Sequence, residues 1–390
     1  MVDRDLIPCI RKAARQFPAV TLTGPRQSGK STLCRMVFPK LPYASLEAPD
    51  VRAFAADDPR GFLAQYPKGA IIDEVQRVPG LPSYLQGIID EDPKHGRWIL
   101  TGSQNLMLLE SVSQSLAGRT ALLNLLPLAR SEVIRFKKYP KTLDETMVTG
   151  GYPRIFDKRL DPADWLGAYV GTYIERDVRT ISNIGDLTTF QRFVELCAGR
   201  TAQLLNYSAL VSDCGISQPT AKAWLSVLEM SFIAFRLQPY HSNLRKRLVK
   251  MPKLHFYDTG LVCWLLGIRT PSQLRSHPLR GAIFESWIVS EIVKHRINRG
   301  EPNGLAFYRD RDGVEADLII ERPAGLTIVE VKAAQTASSS LFDGIGRVRN
   351  RLSEENRPCK AIVAYGGEAP QRRHGVHLVP WDGLHDLRWT

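Results

Sequence analysis

The feature that most constrains this chain is the run Gly24-Pro25-Arg26-Gln27-Ser28-Gly29-Lys30-Ser31-Thr32, which satisfies G-x-x-x-x-G-K-[ST]. It follows the apolar stretch AVTLT (19–23) and precedes a segment, 31–37, with helical pattern. A strand, a tight glycine loop and a helix in that order predict a parallel α/β sheet with a phosphate site at one strand end. The physical logic is specific. Glycines let backbone N–H groups curl around phosphate oxygens, Lys30 reaches the β- and γ-phosphates, and the Ser31 hydroxyl is a Mg²⁺ ligand. ATP and Mg²⁺ are therefore the expected cofactors, with residues 24–32 as the binding loop.

Two further apolar runs, GAIIDE (69–74) and RWILTG (97–102), end in polar residues, as buried parallel strands do where they deliver side chains to a site. Asp73-Glu74 at the end of the first reads as a second nucleotide motif. Asp73 would hold Mg²⁺ through water, and Glu74 would polarise the attacking water. After the other run come Ser103 and Asn105, either of which is placed to sense the γ-phosphate, Asn105 being preferred. Arg119, in SLAGR before ALLNLLPL, is a candidate arginine finger directed at a neighbouring copy's nucleotide. The catalytic set is thus Lys30, Glu74, Asn105 and Arg119.

Length and charge set the remaining bounds. The 390 residues predict two or three domains, and 44% hydrophobic with 24% charged residues is a globular balance. Lys and Arg number 52 against 40 Asp and Glu, a surplus of +12 that fits a polyanionic partner such as nucleic acid. Six scattered cysteines without a C-x-x-C pair argue against a zinc site or a disulfide scaffold and for reduced thiols. The N-terminus lacks the apolar core of a signal peptide, and no apolar run approaches the ~20 residues that span a bilayer. A cytoplasmic protein without a membrane partner is expected.

The pattern divides the chain into an α/β core (1–130), a helical lid or linker (131–185), a middle segment (186–250) and a mixed α/β end (251–390). In the middle segment Phe190, Phe193, Val194, Cys197 and Leu204 fall near one helical face. Asn206-YSALVSDCGISQPTAKAWLSVLEM then has helix-turn-helix spacing, with Asn206 and Ser217 at the helix starts and Gly215 at the turn. A strand (FIAFRLQPY), a basic turn (HSNLRKRLVKMPK) and another strand (LHFYD) complete the outline of a winged helix. Gln218 and Lys222 would lie near a DNA groove, with Arg245, Lys246, Arg247 and Lys250 on phosphates. Such domains also pack against proteins, so DNA is one reading of two.

The last region places an apolar helix (GAIFESWIVSEIVKH) before the strands LAFYRD, ADLIIE and LTIVEVK. Asp317, followed thirteen positions later by Glu330-x-Lys332, matches the PD-(D/E)xK arrangement. Alternation along a strand puts Glu330 and Lys332 on one face. Two carboxylates on adjacent strands can hold Mg²⁺ while the lysine orients water, and Glu285 on the preceding helix is a further acid. The same fold also serves as a binding module.

GPRQSGKST, AIIDEVQRVP, LTGSQN, SLAGRTALLNLLPLARSE, GGYPR, YIERDV, FYDTGL and ADLII…VEVK occur in this order over nearly the whole chain. With them the chain resembles the bacterial and archaeal ATPases that have an N-terminal AAA-type domain and a C-terminal DUF4143 domain. The resemblance implies an AAA+-like ATPase, a winged-helix segment and a restriction-endonuclease-like end. Lys30, Ser31, Asp73 and Glu74 carry over as nucleotide and Mg²⁺ residues, and Arg119 occupies the family's Gly-Arg position, which implies a homo-oligomer. The leading expectation is an oligomeric, Mg²⁺-dependent ATPase that translocates on or remodels duplex or branched DNA. An ATP-gated, metal-dependent nuclease and a nucleotide switch acting through protein partners are the alternatives.

Overall fold

The structure, a computed structural model, describes residues 2–103, 115–172, 186–240, 251–302, 304–310, 312–338, 341–353, 358–373 and 375–389. They form two compact units. One comprises Met1–Leu128, Met230–Phe232 and Ile297–Glu301, the other Ala129–Glu229, Ile233–Arg296 and Pro302–Thr390.

In the first unit the predicted apolar runs are strands: β1 (Ala19–Thr23), β3 (Ala70–Asp73) and β4 (Trp98–Gly102), each buried throughout. With β2 (Tyr43–Ser45) and β5 (Thr120–Asn124) they make a parallel sheet of order β2-β3-β4-β1-β5. Both faces are covered, which is why these strands read as continuous apolar runs. Alternation then sorts the side chains. Val20, Leu22, Ile71 and Ile99 pack with α1 (Ile7–Gln16) and α2 (Lys30–Val37). Ala19, Ala70, Ile72, Trp98 and Leu100 pack on the other side with Leu81, Leu85 and Ile89 of α3 (Leu81–Glu91). The order inserts β4 between the strand that delivers the glycine loop and the strand that delivers Asp73.

The second unit begins its middle segment with α4 (Leu187–Ala198), whose N-terminus is capped by Asp186 on the Thr189 amide at 3.0 Å. The helix buries Phe190, Phe193, Val194 and Cys197. Leu204 departs from expectation. The helix ends at Ala198, Ala202 turns with a φ of 58°, and Leu204 lies in a short strand, β6 (Gln203–Leu204). A left-handed residue breaks the helical path, so periodicity across it carried no meaning.

Asn206 caps α5 (Tyr207–Cys214), which ends at Gly215 with φ +72°. Ser217 then receives the Thr220 amide at 3.2 Å and starts α6 (Gln218–Met230). Trp224 of α6 sits edge-on to Phe190 and Phe193, at ring distances of 5.2 and 5.4 Å. Burying each such ring stabilises by roughly 1.5–3 kcal/mol, enough to fix how these helices pack. β7 (Ala234–Leu237) and β8 (Lys253–Phe256) follow, antiparallel, in a sheet of order β6-β8-β7.

Beyond them, Asp258 is a buried cap. Its carboxylate accepts the Leu261 amide of helix Thr259–Leu265 at 3.0 Å and the Gly151 amide at 2.6 Å. Gly150 has φ +70°, and a Cβ there would strike the same carboxylate.

The chain continues with α7 (Arg280–Ile297), β9 (Leu305–Arg309), β10 (Glu315–Arg322) and β11 (Gly325–Lys332). After α8 (Asp343–Ser353) come β12 (Cys359–Tyr365), β13 (Gln371–Arg373) and β14 (Val376–Pro380). The sheet order is β13-β14-β12-β11-β10-β9, antiparallel through β9, β10 and β11 and parallel from β11 to β12 and β14. Ile345, Val348 and Leu352 of α8 pack on Ile319, Ile328 and Val363. All six cysteines are free thiols. Among the described residues, no helix is long and apolar enough to cross a membrane.

Candidate nucleotide site

β1 ends at Thr23, and the chain turns at Gly24 with φ +147°, where a Cβ would run into the Leu125 carbonyl oxygen. Only glycine fits so close to β5. The loop contains a second left-handed residue, Gln27 (φ 63°), and closes at Gly29 (φ 94°), which opens α2. Such alternation turns successive N–H groups toward one concavity at the positive end of the helix dipole.

Lys30, 5% exposed, donates its ammonium to the carbonyls of Gly24 (2.9 Å) and Pro25 (2.8 Å). Burial lowers its pKa to about 8, an effect opposed by the carboxylates of Glu74 and Asp73. The ammonium therefore stays charged at neutral pH and rests on neutral acceptors.

Asp73 gathers hydroxyls from three elements. Its Oδ2 accepts Ser31 Oγ of α2 at 2.7 Å and Tyr43 Oη of β2 at 2.5 Å, and its Oδ1 accepts Thr101 Oγ1 of β4. Burial, then the bond to Asp73, pushes the Tyr43 phenol up to about 12, so it remains a donor. Glu74 follows in a left-handed conformation (φ 57°). Its Oε2 accepts Ser103 Oγ at 2.9 Å and a hydrogen bond from Gln76 Nε2. The fold thus brings together Lys30, Ser31, Asp73, Glu74 and Ser103, drawn from the start of α2 and the ends of β3 and β4. Asn105 lies outside the described residues. Arg26 is half-buried in the loop, Ser28 buried, and Thr32 exposed on α2.

Arg119 is elsewhere. Its carbonyl accepts the Ala19 amide at the first residue of β1, whereas the loop begins after the last. The strand between them is roughly 16 Å long, beyond an arginine's reach. Its guanidinium pairs with Asp90, the Nε at 2.5 Å and an Nη at 2.9 Å.

Two residues that carried no sequence signal also serve this site. Arg4, 7% exposed, donates to the carbonyls of Ser28 (2.8 Å) and Leu126 (2.7 Å) and so ties the loop to the segment after β5. Tyr43 is the other, since nothing marks it until β2 is laid beside β3.

In the second unit, the pairing of Leu318 with Val329 sets Asp317 beside Glu330. Asp317 Oδ2 accepts the Val331 amide at 2.8 Å, and Glu330 Oε1 accepts the Lys332 ammonium at 2.6 Å. Glu285 of α7 meets a residue the sequence did not single out, Lys253 of β8. The Lys253 ammonium lies 2.8 Å from Glu285, 2.6 Å from Glu315 and 3.4 Å from Asp317. No group of three or more Asp, Glu, His or Cys side chains among the described residues is arranged to hold a metal. Gln218 and Lys222 are exposed on α6, while Arg245, Lys246, Arg247 and Lys250 fall outside the described residues.

Comparison with known proteins adds three matches along the chain. Family models described as an AAA domain, a domain of unknown function (DUF8612) and a domain of unknown function (DUF4143) match residues 16–134, 140–272 and 280–384. Among curated proteins, the uncharacterized proteins Rv2008c of Mycobacterium tuberculosis and Mb2031c of Mycobacterium bovis are each 32% identical over 371 residues, covering 94% of this chain and 80% of theirs. Among solved structures, the Walker-type ATPase paby2304 of Pyrococcus abyssi aligns with 68% of this chain and 96% of its own at 14% identity, with a TM-score of 0.46. That structural likeness is too distant to assign anything to this chain. The near full-length identity to the mycobacterial proteins, with the AAA and DUF4143 matches at the two ends, places the chain in the family of AAA-type ATPases that join an N-terminal AAA domain to a C-terminal DUF4143 domain.

Proposed function

We propose that this ATPase is Mg²⁺-dependent, assembles from several copies and acts on duplex or branched DNA by translocation or remodelling. One observation carries the metal assignment: Ser31 Oγ and Asp73 Oδ2 meet at 2.7 Å beside the glycine loop. Two hard oxygen donors so placed suit Mg²⁺. The buried Ser28 hydroxyl, with no hydrogen-bond partner among the described residues, suits a phosphate oxygen in the same loop. When bound, the ion neutralises charge on the β- and γ-phosphates. The rest falls to the chain. Lys30 exchanges loop carbonyls for phosphate oxygens, and Glu74, oriented by Ser103 and Gln76, accepts the hydrogen bond that aims the attacking water. Arg119 acts on a neighbouring copy's nucleotide, because it is too far along β1 to serve its own. Its exposed pair with Asp90 contributes little in water and is easily exchanged.

The DNA reading draws on the middle segment. The order α4-β6-α5-α6-β7-β8, with sheet order β6-β8-β7, supports the winged-helix reading. Gln218 and Lys222 stand exposed at the start of its second turn-flanking helix, and the surplus of +12 favours a polyanion. Likewise, a helix, three antiparallel strands, a helix and a parallel strand follow the restriction-endonuclease-like order, which we read as a DNA-gripping module.

Steady-state ATP hydrolysis measured with no nucleic acid, single strand, duplex and a four-way junction tests the reading. Several-fold stimulation by duplex or junction is expected, with Lys30→Ala inactive throughout. Unstimulated hydrolysis with every DNA would overturn the DNA role.

A further inference from the structure

We propose that Lys253 is the resident cation of the acidic pocket in the second unit. Its ammonium takes the place among these acids that a divalent ion would need, and the acids as placed around it are not arranged to hold one, so the pocket is closed to metal in the native chain and opens to one only when that ammonium is removed. The inference concerns side chains within one unit and does not depend on the DNA reading.

Lys253, 3% exposed, opens β8 and projects its ammonium between α7 and β10. There Glu285, Glu315 and Asp317 surround it at 2.8, 2.6 and 3.4 Å. Three carboxylate oxygens around one cation are part of the oxygen shell of a hard divalent ion, at distances wider than Mg²⁺–oxygen bonds by roughly 0.5–1.4 Å. A buried ammonium is costly unless it is paired. Here three carboxylates, those of Glu285, Glu315 and Asp317, pair with it. The ammonium is a permanent occupant.

A free ion cannot displace it cheaply. Lys253 is delivered by its own strand and gives up no freedom of translation, whereas an ion must shed water and bind beside a positive charge. The second acid of the motif shows the same closure. Glu330, 7% exposed, gives one oxygen to Lys332 at 2.6 Å, and its Oε2 is buried with no hydrogen-bond partner among the described residues. With Lys253 in place, oxygens of Glu285, Glu315 and Asp317 that an ion would need are already engaged by an ammonium, and metal-dependent phosphodiester cleavage is not available from this pocket.

Calorimetric titration of the nucleotide-free full chain with MnCl₂ tests this in wild type, Asp317→Asn, Lys253→Met and the double variant. Wild type and Asp317→Asn should superimpose, because metal bound at the nucleotide site or surface is common to both. Lys253→Met should gain one site that wild type lacks, and the double variant should lose it. An Asp317-dependent site in wild type overturns the proposal. So does a Lys253→Met chain that keeps its circular dichroism and basal ATPase yet gains no site. Should that variant not fold, the comparison of wild type with Asp317→Asn decides alone.

Discussion

Ser31 and Asp73, 42 residues apart, meet through a 2.7 Å hydrogen bond that joins the first turn of α2 to the end of β3. Asp73 also holds Tyr43 and Thr101, so its removal costs both activity and packing. The two roles separate by substitution. Asp73→Asn should lower Mg²⁺-dependent hydrolysis by about 10²-fold or more. Tyr43→Phe should leave the rate within about twofold and cost about 1 kcal/mol of stability. Initial rates and thermal melts on the two variants check this, and a Tyr43→Phe chain as inactive as Asp73→Asn would put Tyr43 in the chemistry.

Lys30 gives the site a pH dependence. Its pKa of about 8 in the free chain, set first by burial, must rise when phosphate replaces the loop carbonyls. Nucleotide binding above pH 8 therefore takes up a proton, and affinity is level below that pH and falls above it, by up to about tenfold per pH unit. Titrations at pH 9 in two buffers of different ionisation enthalpy read the proton directly. Proton release on binding would contradict the buried, carbonyl-bound lysine.

The position of Arg119 at the start of β5 makes a complementation test decisive. Lys30→Ala and Arg119→Ala copies should each be nearly inactive alone. Mixed, they should recover a fraction of wild-type hydrolysis, because an Arg119→Ala copy has an intact loop and a Lys30→Ala copy an intact arginine. No recovery across mixing ratios would argue that Arg119 does not act between copies.

Glu330 should make the second unit weaker in mild alkali than in mild acid. Burial, then the charge of Asp317, pushes its carboxyl up to about 7 from a reference of 4.5, against the pull of Lys332. Between those values the folded chain holds a proton that the unfolded chain has lost, so this group's contribution falls as pH rises through the window. Glu330→Gln should melt a few degrees higher than wild type at pH 8, on the order of 1 kcal/mol. At pH 5 the two should coincide. A variant less stable at pH 8 would mean that the bond to Lys332 outweighs burial.

What was legible in the sequence follows physical lines. β1, β3 and β4 could be read because strands buried on both faces must be apolar throughout, and the glycine loop because only glycine tolerates Gly24 against Leu125. The caps Asn206, Ser217 and Gly215 marked α5 and α6 from local chemistry alone. Leu204 was misplaced because periodicity does not register a left-handed Ala202. Arg4, Tyr43 and Lys253 were invisible for another reason. Each acts on residues that only the tertiary arrangement brings near, and a lone Arg, Tyr or Lys at the edge of an element has no pattern to betray it. Asp317, Glu330 and Lys332 were found, but the cation among their neighbours was not.

The bond between Asp258 and Gly151 has a consequence for the making of the protein. It spans 107 residues, and the space beside Gly150 is shaped by a carboxylate that the ribosome has not yet produced when those glycines emerge. At about 5–20 residues per second the wait is on the order of 5–20 s. During that interval the first sheet's strands are already synthesised, while the helix Leu143–Thr149 lacks its later partners Thr259 and Cys263, which bond to the Met147 carbonyl. Translation speed between residues 150 and 260 therefore sets how long a nascent chain presents an unfinished apolar surface to chaperones and to its own copies on neighbouring ribosomes.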